Sequence, residues 1–377
     1  MNKSSTLPVA MICAGLAVAL ITGCSVTNPA PDKVEVDRSV FFSGGRYVGE
    51  KGKEVMRGAM YVEHLRPSKI TRKYPLLLIH GGMQTAAGWL TTPDGRKGWA
   101  QYFAEQGYDV YMVDQPARGR SAWHPGLDGK LMIAPVSVVE KMFTDPEELG
   151  DWPRARRHNQ WPGTGRRGDP VSDQFYASQV EFLASAAETQ TLVQAAGTAL
   201  LDRIGPSVVL THSQSGPFGW LLADARPDLV KGIVAIEPNG PPLQASPELG
   251  AGKQLPWGVS DIPITYFPSV QDANDLQVVQ QVTPDRPGLL ACWQQQEPAR
   301  QLVNLKHIPI LILTTEASYH TRYDHCTANW LRQAGVANDA VRLEDVGIKG
   351  NGHMVMLEKN NLDVAHWIDD WIWRNVH

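Results

Sequence analysis

The chain has no long block of like charge. Its 35 Lys and Arg stand against 39 Asp and Glu, for a formal net charge of −4, and this dispersed balance argues against a nucleic-acid partner. There is no internal repeat and no low-complexity tract. Zinc-type Cys/His spacing, a phosphate-cradling glycine loop and a dinucleotide fingerprint are all missing, so no metal or organic cofactor is expected. Cysteine is scarce, with four residues in 377. The apolar run at 7–21 is shorter than the roughly 20 residues a membrane-spanning helix needs. What remains is a globular balance, 43% hydrophobic and 20% charged, enough for one large α/β domain with insertions or for two small ones. Twelve Trp and 27 Pro point to long, ordered loops.

The N-terminus has the build of a targeting segment: Lys3, then LPVAMICAGLAVALI at 7–21, then ITGC ending at Cys24. The ITGC stretch resembles the bacterial lipobox, in which cleavage after Gly23 leaves Cys24 for lipid modification. Ser25 suits sorting to the outer membrane. The plainer alternative is ordinary signal cleavage nearby, with Cys24 incidental. The expected organisation is a signal peptide at 1–23, a Pro/Asn/Asp-containing linker at 24–36 and one domain at 37–377. The chain would then be an exported lipoprotein, anchored by lipid and facing the periplasm or the cell surface. Export implies an oxidising compartment. Cys292 and Cys326 are then expected to form a disulfide, the alternative being two separate buried thiols.

Beyond the linker, SVFFSGGRYV and RGAMYVEHLRP alternate like the strands of a hairpin. Continuous apolar runs follow at 74–82, 108–114, 206–212, 231–238 and 308–315, as in parallel strands buried on both faces. Helical stretches separate them at 98–107, 176–202, 216–225 and 324–335. A short strand at 340–346 and an amphipathic helix close the chain. Alternating strands and helices imply a mostly parallel, doubly wound α/β sheet. Two segments break the rhythm, at about 121–176 and 239–305. Both leave the carboxyl end of a strand, where open α/β sheets bind ligands, and they read as caps over a site.

The residues needed for acyl transfer can be sought one at a time. Ser213, in THSQSG after an apolar strand, is the nucleophile candidate on a strand-to-helix bend. Thr211 and Ser215 stand where G-x-S-x-G has glycines, so a helix-capping Ser remains the alternative. HGG at 80–82 closes the first buried strand. Gly82, with Met83 next, is the candidate donor of one oxyanion N–H, and Gln214 of the other. His353, in GNGH between the last strand and the last helix, is the candidate base. For the acid, Glu237 ends an otherwise apolar strand, where a carboxylate is costly to bury unpaired. Asp324 and Glu316 are the other candidates.

HGG, VDQPARGRS, THSQSG and GNGH resemble the α/β-hydrolase superfamily. In VDQPARGRS, Asp114, Gly119 and Ser121 match a structural turn after the fourth strand. GAMYVEHLRP, HSQSGPFGW and AIEPNG look like bacterial secreted esterases whose acid is a Glu after the sixth strand. The resemblance implies an α/β-hydrolase fold with a triad of Ser213, Glu237 and His353 and oxyanion donors at Gly82 and Gln214. It implies a serine carboxylesterase acting on small-molecule esters through an acyl-enzyme. An amidase, peptidase or lyase on the same fold, or a non-catalytic binding lipoprotein, remain alternatives. Trp123, Trp152, Trp161, Tyr176 and Trp257 either line a substrate pocket or pack the caps. The Arg-rich stretch 154–167 reads as a solvated loop, the alternative being a site for anions.

Overall fold

Apolar and β-branched runs, continuous in the central strands, give the eight strands of the main sheet among the described residues: β1 Val36–Val48, β2 Val55–Pro67, β3 Leu76–Ile79, β4 Val110–Asp114, β5 Ser207–His212, β6 Val230–Ile236, β7 Ile310–Thr314 and β8 Asp339–Arg342. They form one sheet in the order β1-β2-β4-β3-β5-β6-β7-β8. The computed structural model describes residues 1, 34–248, 250 and 252–377, and residues 35–377 form one unit. Cys24 and the apolar run at 7–21 lie outside the described residues. The β1–β2 hairpin joins antiparallel to β4, and β4 through β8 and β3 run parallel. This is the mostly parallel, doubly wound arrangement expected.

Successive side chains on a strand point to opposite faces, so each central strand feeds two cores. Val209, Ile233 and Ile312 pack with Leu200, Phe218 and Trp330 on one face. Leu210, Val234 and Leu311 pack with Trp99, Phe103 and Ile368 on the other. Complete burial of one such aliphatic side chain contributes roughly 2 kcal/mol. The main helices are α1 Trp99–Glu105, α2 Pro170–Ala177, α3 Ala186–Ile204, α4 Gly216–Ala225, α5 Asp324–Gln333 and α6 Asn361–Asn375.

The helix expected over 176–202 is two separate elements. Helix α2 is capped by Asp169, and α3 starts only where Ser185 accepts the N–H of Glu188. Between them Phe182–Leu183 pairs with Leu131–Met132 as a small antiparallel ladder. The last strand stops at Arg342 rather than 346, because the chain turns at 343–346 and Gly347 takes a φ of 88°.

The insertions differ in role. The first places Phe143 beside the loop that follows β8, its ring 5.2 Å from that of His353. Much of the second instead packs on a sheet face: Trp257, Val259, Ile264 and Tyr266 join the core around α4 and α5. A disulfide joins Cys292 of that insertion to Cys326 in α5, with Cα atoms 5.2 Å apart.

Strand register aligns the site. Ile79 lies opposite Thr211, His212 opposite Ile236 and Ile236 opposite Leu313. The residues that follow these ends therefore emerge along one rim: Gly81 and Gly82, Ser213, Glu237 and Thr315.

Candidate active site

Ser213 sits at the break between β5 and a short 3-10 turn leading into α4, with φ at 56°. A left-handed conformation is costly for a residue other than Gly and persists only where its surroundings impose it. Those surroundings are tight. A Cβ at Gly216 would lie 2.4 Å from Cβ of Pro238, and a Cβ at Gly81 would lie 3.0 Å from that of Ser213. Close approach therefore falls on Gly216, not on position 215. Ser215 is accommodated because its hydroxyl accepts the His212 N–H at 2.8 Å and donates to the Ile79 carbonyl at 2.7 Å. Ser213 caps no helix: the N-cap of α4 is Ser215.

His353 lies on the loop between β8 and α6, and that loop is held from several sides. Glu358 accepts the Gly352 N–H, Glu316 accepts the Gly350 N–H, and His212 Nε2 contacts the His353 carbonyl at 2.9 Å. The ring Nδ1 lies 2.6 Å from Oε2 of Glu237. The other carboxylate oxygen of Glu237 accepts the Thr315 N–H at 2.8 Å and the Thr315 hydroxyl at 2.6 Å. Glu237 is 0% and His353 1% exposed, so this is a buried pair. Of the three carboxylates considered from sequence, only Glu237 bonds this imidazole. Asp324 pairs with His320 at 2.8 Å, and Glu316 pairs with Arg157.

Burial pushes the Glu237 carboxyl up, but the hydrogen bond from His353 and the adjacent imidazoles outweigh it and hold the group at about 2. Burial also lowers the His353 pKa; Glu237 pulls it back up and His320 pushes it down, leaving it below its ordinary 6.5. At neutral pH the pair is an ionised carboxylate beside a neutral imidazole with Nδ1 protonated, and Nε2 is free to accept a proton.

Around Nε2 the site is aromatic. The Tyr319 hydroxyl lies 3.5 Å from it. Burial raises the Tyr319 phenol far above its usual range, and the nearby Ser213 side chain opposes that rise, so Ser213 and His353 face the same hydroxyl. His320 stacks on the His353 ring at 4.8 Å, and Phe143 covers it at 5.2 Å. The sequence reading did not pick out Tyr319, His320, Thr315 or Phe143. Three of them follow β7 directly, and that position at a strand's carboxyl end was the available signal. Phe143 belongs to the π-helical turn Glu140–Thr144, which periodicity does not reveal.

On the other side of Ser213 runs the Gly81–Gly82–Met83 segment. A Cβ at Gly82 would lie 3.8 Å from the Gln214 side chain. Gln214 is in the first turn after the strand, where backbone N–H groups have no helical acceptor. Ligand atoms of Glu237, His320 and His353 lie within 4.8 Å of one another, but Glu237 and His353 already use theirs on each other. A second cluster, Cys292, His325 and Cys326, has both sulfurs in the disulfide and offers no thiolate.

The aromatic residues of the insertions serve packing more than lining. Trp152 donates to the Ala317 carbonyl, Trp161 stacks edge-on to Phe175, Trp257 is in the core and Trp123 is exposed. Tyr176 lines a cavity of about 320 Å³ together with Val136, Val139, Glu140, Arg167 and Asp173, a lining that includes neither Ser213 nor His353. The arginines of 154–167 are paired, Arg154 with Glu344, Arg157 with Glu316, Arg166 with Asp145, Arg167 with Glu140 and, loosely at the surface, Arg156 with Glu148 at 4.0 Å.

Comparison with known proteins gives a consistent picture. The chain is 45% identical over 347 residues, 92% of either chain, to a protein named probable secreted lipase phiG from Fungal sp. (strain ATCC 74256). Its fold matches a solved structure described as a novel bacterial esterase with a TM-score of 0.63 at 24% identity, covering 91% of this chain and 98% of the other. Residues 76–367 match the alpha/beta hydrolase family. The chain is a member of that family.

Proposed function

We propose that the protein is an exported serine carboxylesterase that hydrolyses small-molecule esters through an acyl-enzyme. The observation that carries this reading is the buried 2.6 Å contact between His353 and Glu237 beside a Ser in left-handed backbone. Nε2 of His353 removes the Ser213 proton as Oγ attacks the ester carbonyl. Glu237 keeps the ring in the tautomer with Nδ1 protonated and stabilises the imidazolium that forms. The N–H groups of Gly82 and Gln214 bind the developing oxyanion, with Met83 the next candidate. His353 then protonates the leaving alkoxide, and water, activated by the same ring, cleaves the acyl-Ser213 bond to release the acid.

The name of the 45%-identical relative, a probable secreted lipase, supports both ester substrates and export. Within the same proposal, residues 1–23 are a signal peptide, a linker follows from 24 up to the folded unit that starts at Glu35 rather than at 37, and Cys24 is the lipid-modified residue that anchors the chain to the outer membrane.

Exchange of Ser213 for Ala tests the reading. Turnover of p-nitrophenyl acetate should fall by on the order of 10⁴-fold or more, and labelling by a fluorophosphonate should vanish. Unchanged turnover removes Ser213 from the chemistry and leaves a binding protein or a different mechanism.

A further inference from the structure

The turn after β4 delivers a buried cation to the back of the proposed oxyanion site. Asp114 fixes that turn by accepting the N–H groups of Ala86 and Arg120, and the Ser121 hydroxyl donates to the Asp114 carbonyl. Arg118, between these anchors, is 3% exposed. No carboxylate among the described residues forms a salt bridge with it, because Asp114 is taken by Arg120. Its guanidinium lies over the Phe182 ring instead, 5.1 Å from the centroid.

The two hydrogen bonds of Arg118 go to the two residues assigned as oxyanion donors, or to their immediate peptide. Nη1 donates to the Gly81 carbonyl at 2.9 Å, and Nη2 donates to Oε1 of Gln214 at 2.9 Å. The Gly81 carbonyl belongs to the same peptide group as the Gly82 N–H. In a trans peptide the two point in opposite directions, so a donor on the carbonyl fixes where the N–H aims. A cationic donor also withdraws electron density from the amide and strengthens its N–H as a donor, the cooperative effect of a hydrogen-bond chain in a low-dielectric interior. A second donor backs the first. His80 Nδ1 lies 2.9 Å from the same carbonyl. Its Nε2 accepts the Gln115 N–H at 3.2 Å, so Nδ1 carries the proton.

We propose that Arg118 is a positioning residue of the oxyanion site: it clamps the Gly81–Gly82 peptide and the Gln214 side chain, and its unneutralised charge strengthens the oxyanion donors. This rests on the serine-esterase reading above. Arg118 meets no substrate. It acts through the two N–H groups, which should count most when the carbonyl oxygen becomes negative and little when neutral ester binds.

The test compares a ground state with a tetrahedral one. In Arg118→Gln, kcat/KM for p-nitrophenyl acetate should fall by about 10- to 100-fold, less than the 10²–10³-fold typical of losing an oxyanion donor outright. The inhibition constant of an alkyl trifluoromethyl ketone, which forms a tetrahedral adduct, should rise by a similar factor, with KM little changed. Arg118→Lys keeps the charge but cannot span both acceptors, and should lie between. Gln214→Ala frees one arm of the guanidinium at a half-buried position, so it guards against misfolding of the Arg118 variants. It should lose a fewfold in both readouts together.

Parallel losses of kcat/KM and ketone affinity support the proposal. A fall in kcat/KM with unaltered ketone affinity overturns it, as does a loss confined to KM or to esters that carry a carboxylate, which would make Arg118 a substrate-binding group. If Gln214→Ala changes neither readout, the clamp is also refuted. Wild-type protein that fails to react with a fluorophosphonate sinks the serine-esterase reading itself; wild-type protein that reacts, with ketone affinity unmoved in the variants, sinks the Arg118 proposal alone.

Discussion

Replacing Glu237 with Gln changes one atom, and the structure gives the size of the expected effect. Thr315 directs two donors, its N–H and its hydroxyl, at Oε1 of Glu237. The amide oxygen of the substituted side chain must take that place, which turns the amide nitrogen toward Nδ1 of His353. Nδ1 then has to accept, the ring proton moves to Nε2, and the base can no longer take a proton from Ser213. Flipping the amide would restore the tautomer but leave the buried Thr315 N–H facing another donor, at a cost of about 2 kcal/mol. The charge is lost as well. Holding a carboxyl at about 2 instead of 4.5 corresponds to about 3 kcal/mol of preference for the ionised, paired state. Together these terms predict a fall in kcat on the order of 10⁴-fold. Pre-steady-state and steady-state turnover of p-nitrophenyl acetate would measure it, with thermal unfolding as a check on folding. A folded Glu237→Gln variant whose kcat stays within tenfold of wild type would refute the reasoning. So would a larger loss in Asp324→Asn, whose carboxylate serves His320.

Two further expectations concern pH and the disulfide. The acid limb of kcat/KM should lie below pH 6.5, because burial and His320 both lower the His353 pKa against the opposing pull of Glu237. Activity is present above that pKa and is lost as pH falls through it. His320→Gln removes a ring 4.8 Å away, so the limb should move to higher pH by up to about one unit. The other groups facing this pair, Asp324, Glu237, Glu248, Glu358, His212, Tyr319 and Tyr323, stay in place; a limb that stays put or moves down contradicts this account. Cys292→Ala with Cys326→Ala opens a loop with a sequence separation of 34, and loop-closure entropy predicts a loss of about 4 kcal/mol. Urea unfolding should show a lower midpoint, and an unchanged one would mean that the crosslink constrains little of the unfolded chain.

Much of the fold was legible because its signals are local. The apolar runs at 76–79, 110–114, 207–212 and 310–314 are strands because every side chain along them is buried, and such burial on both faces demands continuous hydrophobicity. The strand-to-helix bend at Ser213 was legible in outline from an apolar strand running into it and then into Gly216-Pro217. The departure at 215 was not, because it depends on a hydroxyl reaching the Ile79 carbonyl, 136 residues away in sequence. The helix expected from 176 failed for a related reason: Ser185 starts α3, and the preceding residues pair with Leu131–Met132.

By itself the sequence determined the parallel sheet, the order of Ser213, Glu237 and His353, and the glycines beside them, since each follows from residues near in the chain. Only the tertiary structure decided which carboxylate bonds the imidazole, where Asp324 and Glu316 are spent, and what surrounds Nε2. It alone brought Arg118 to the Gly81 carbonyl and turned much of the second insertion into core. The physical reason is that hydrophobic period acts over a few residues, whereas pairing among buried polar groups is settled by which strand ends lie side by side. Parallel register aligned Ile79, His212, Ile236 and Leu313 on one rim, and the loops that carry Phe143 and His353 close onto that rim.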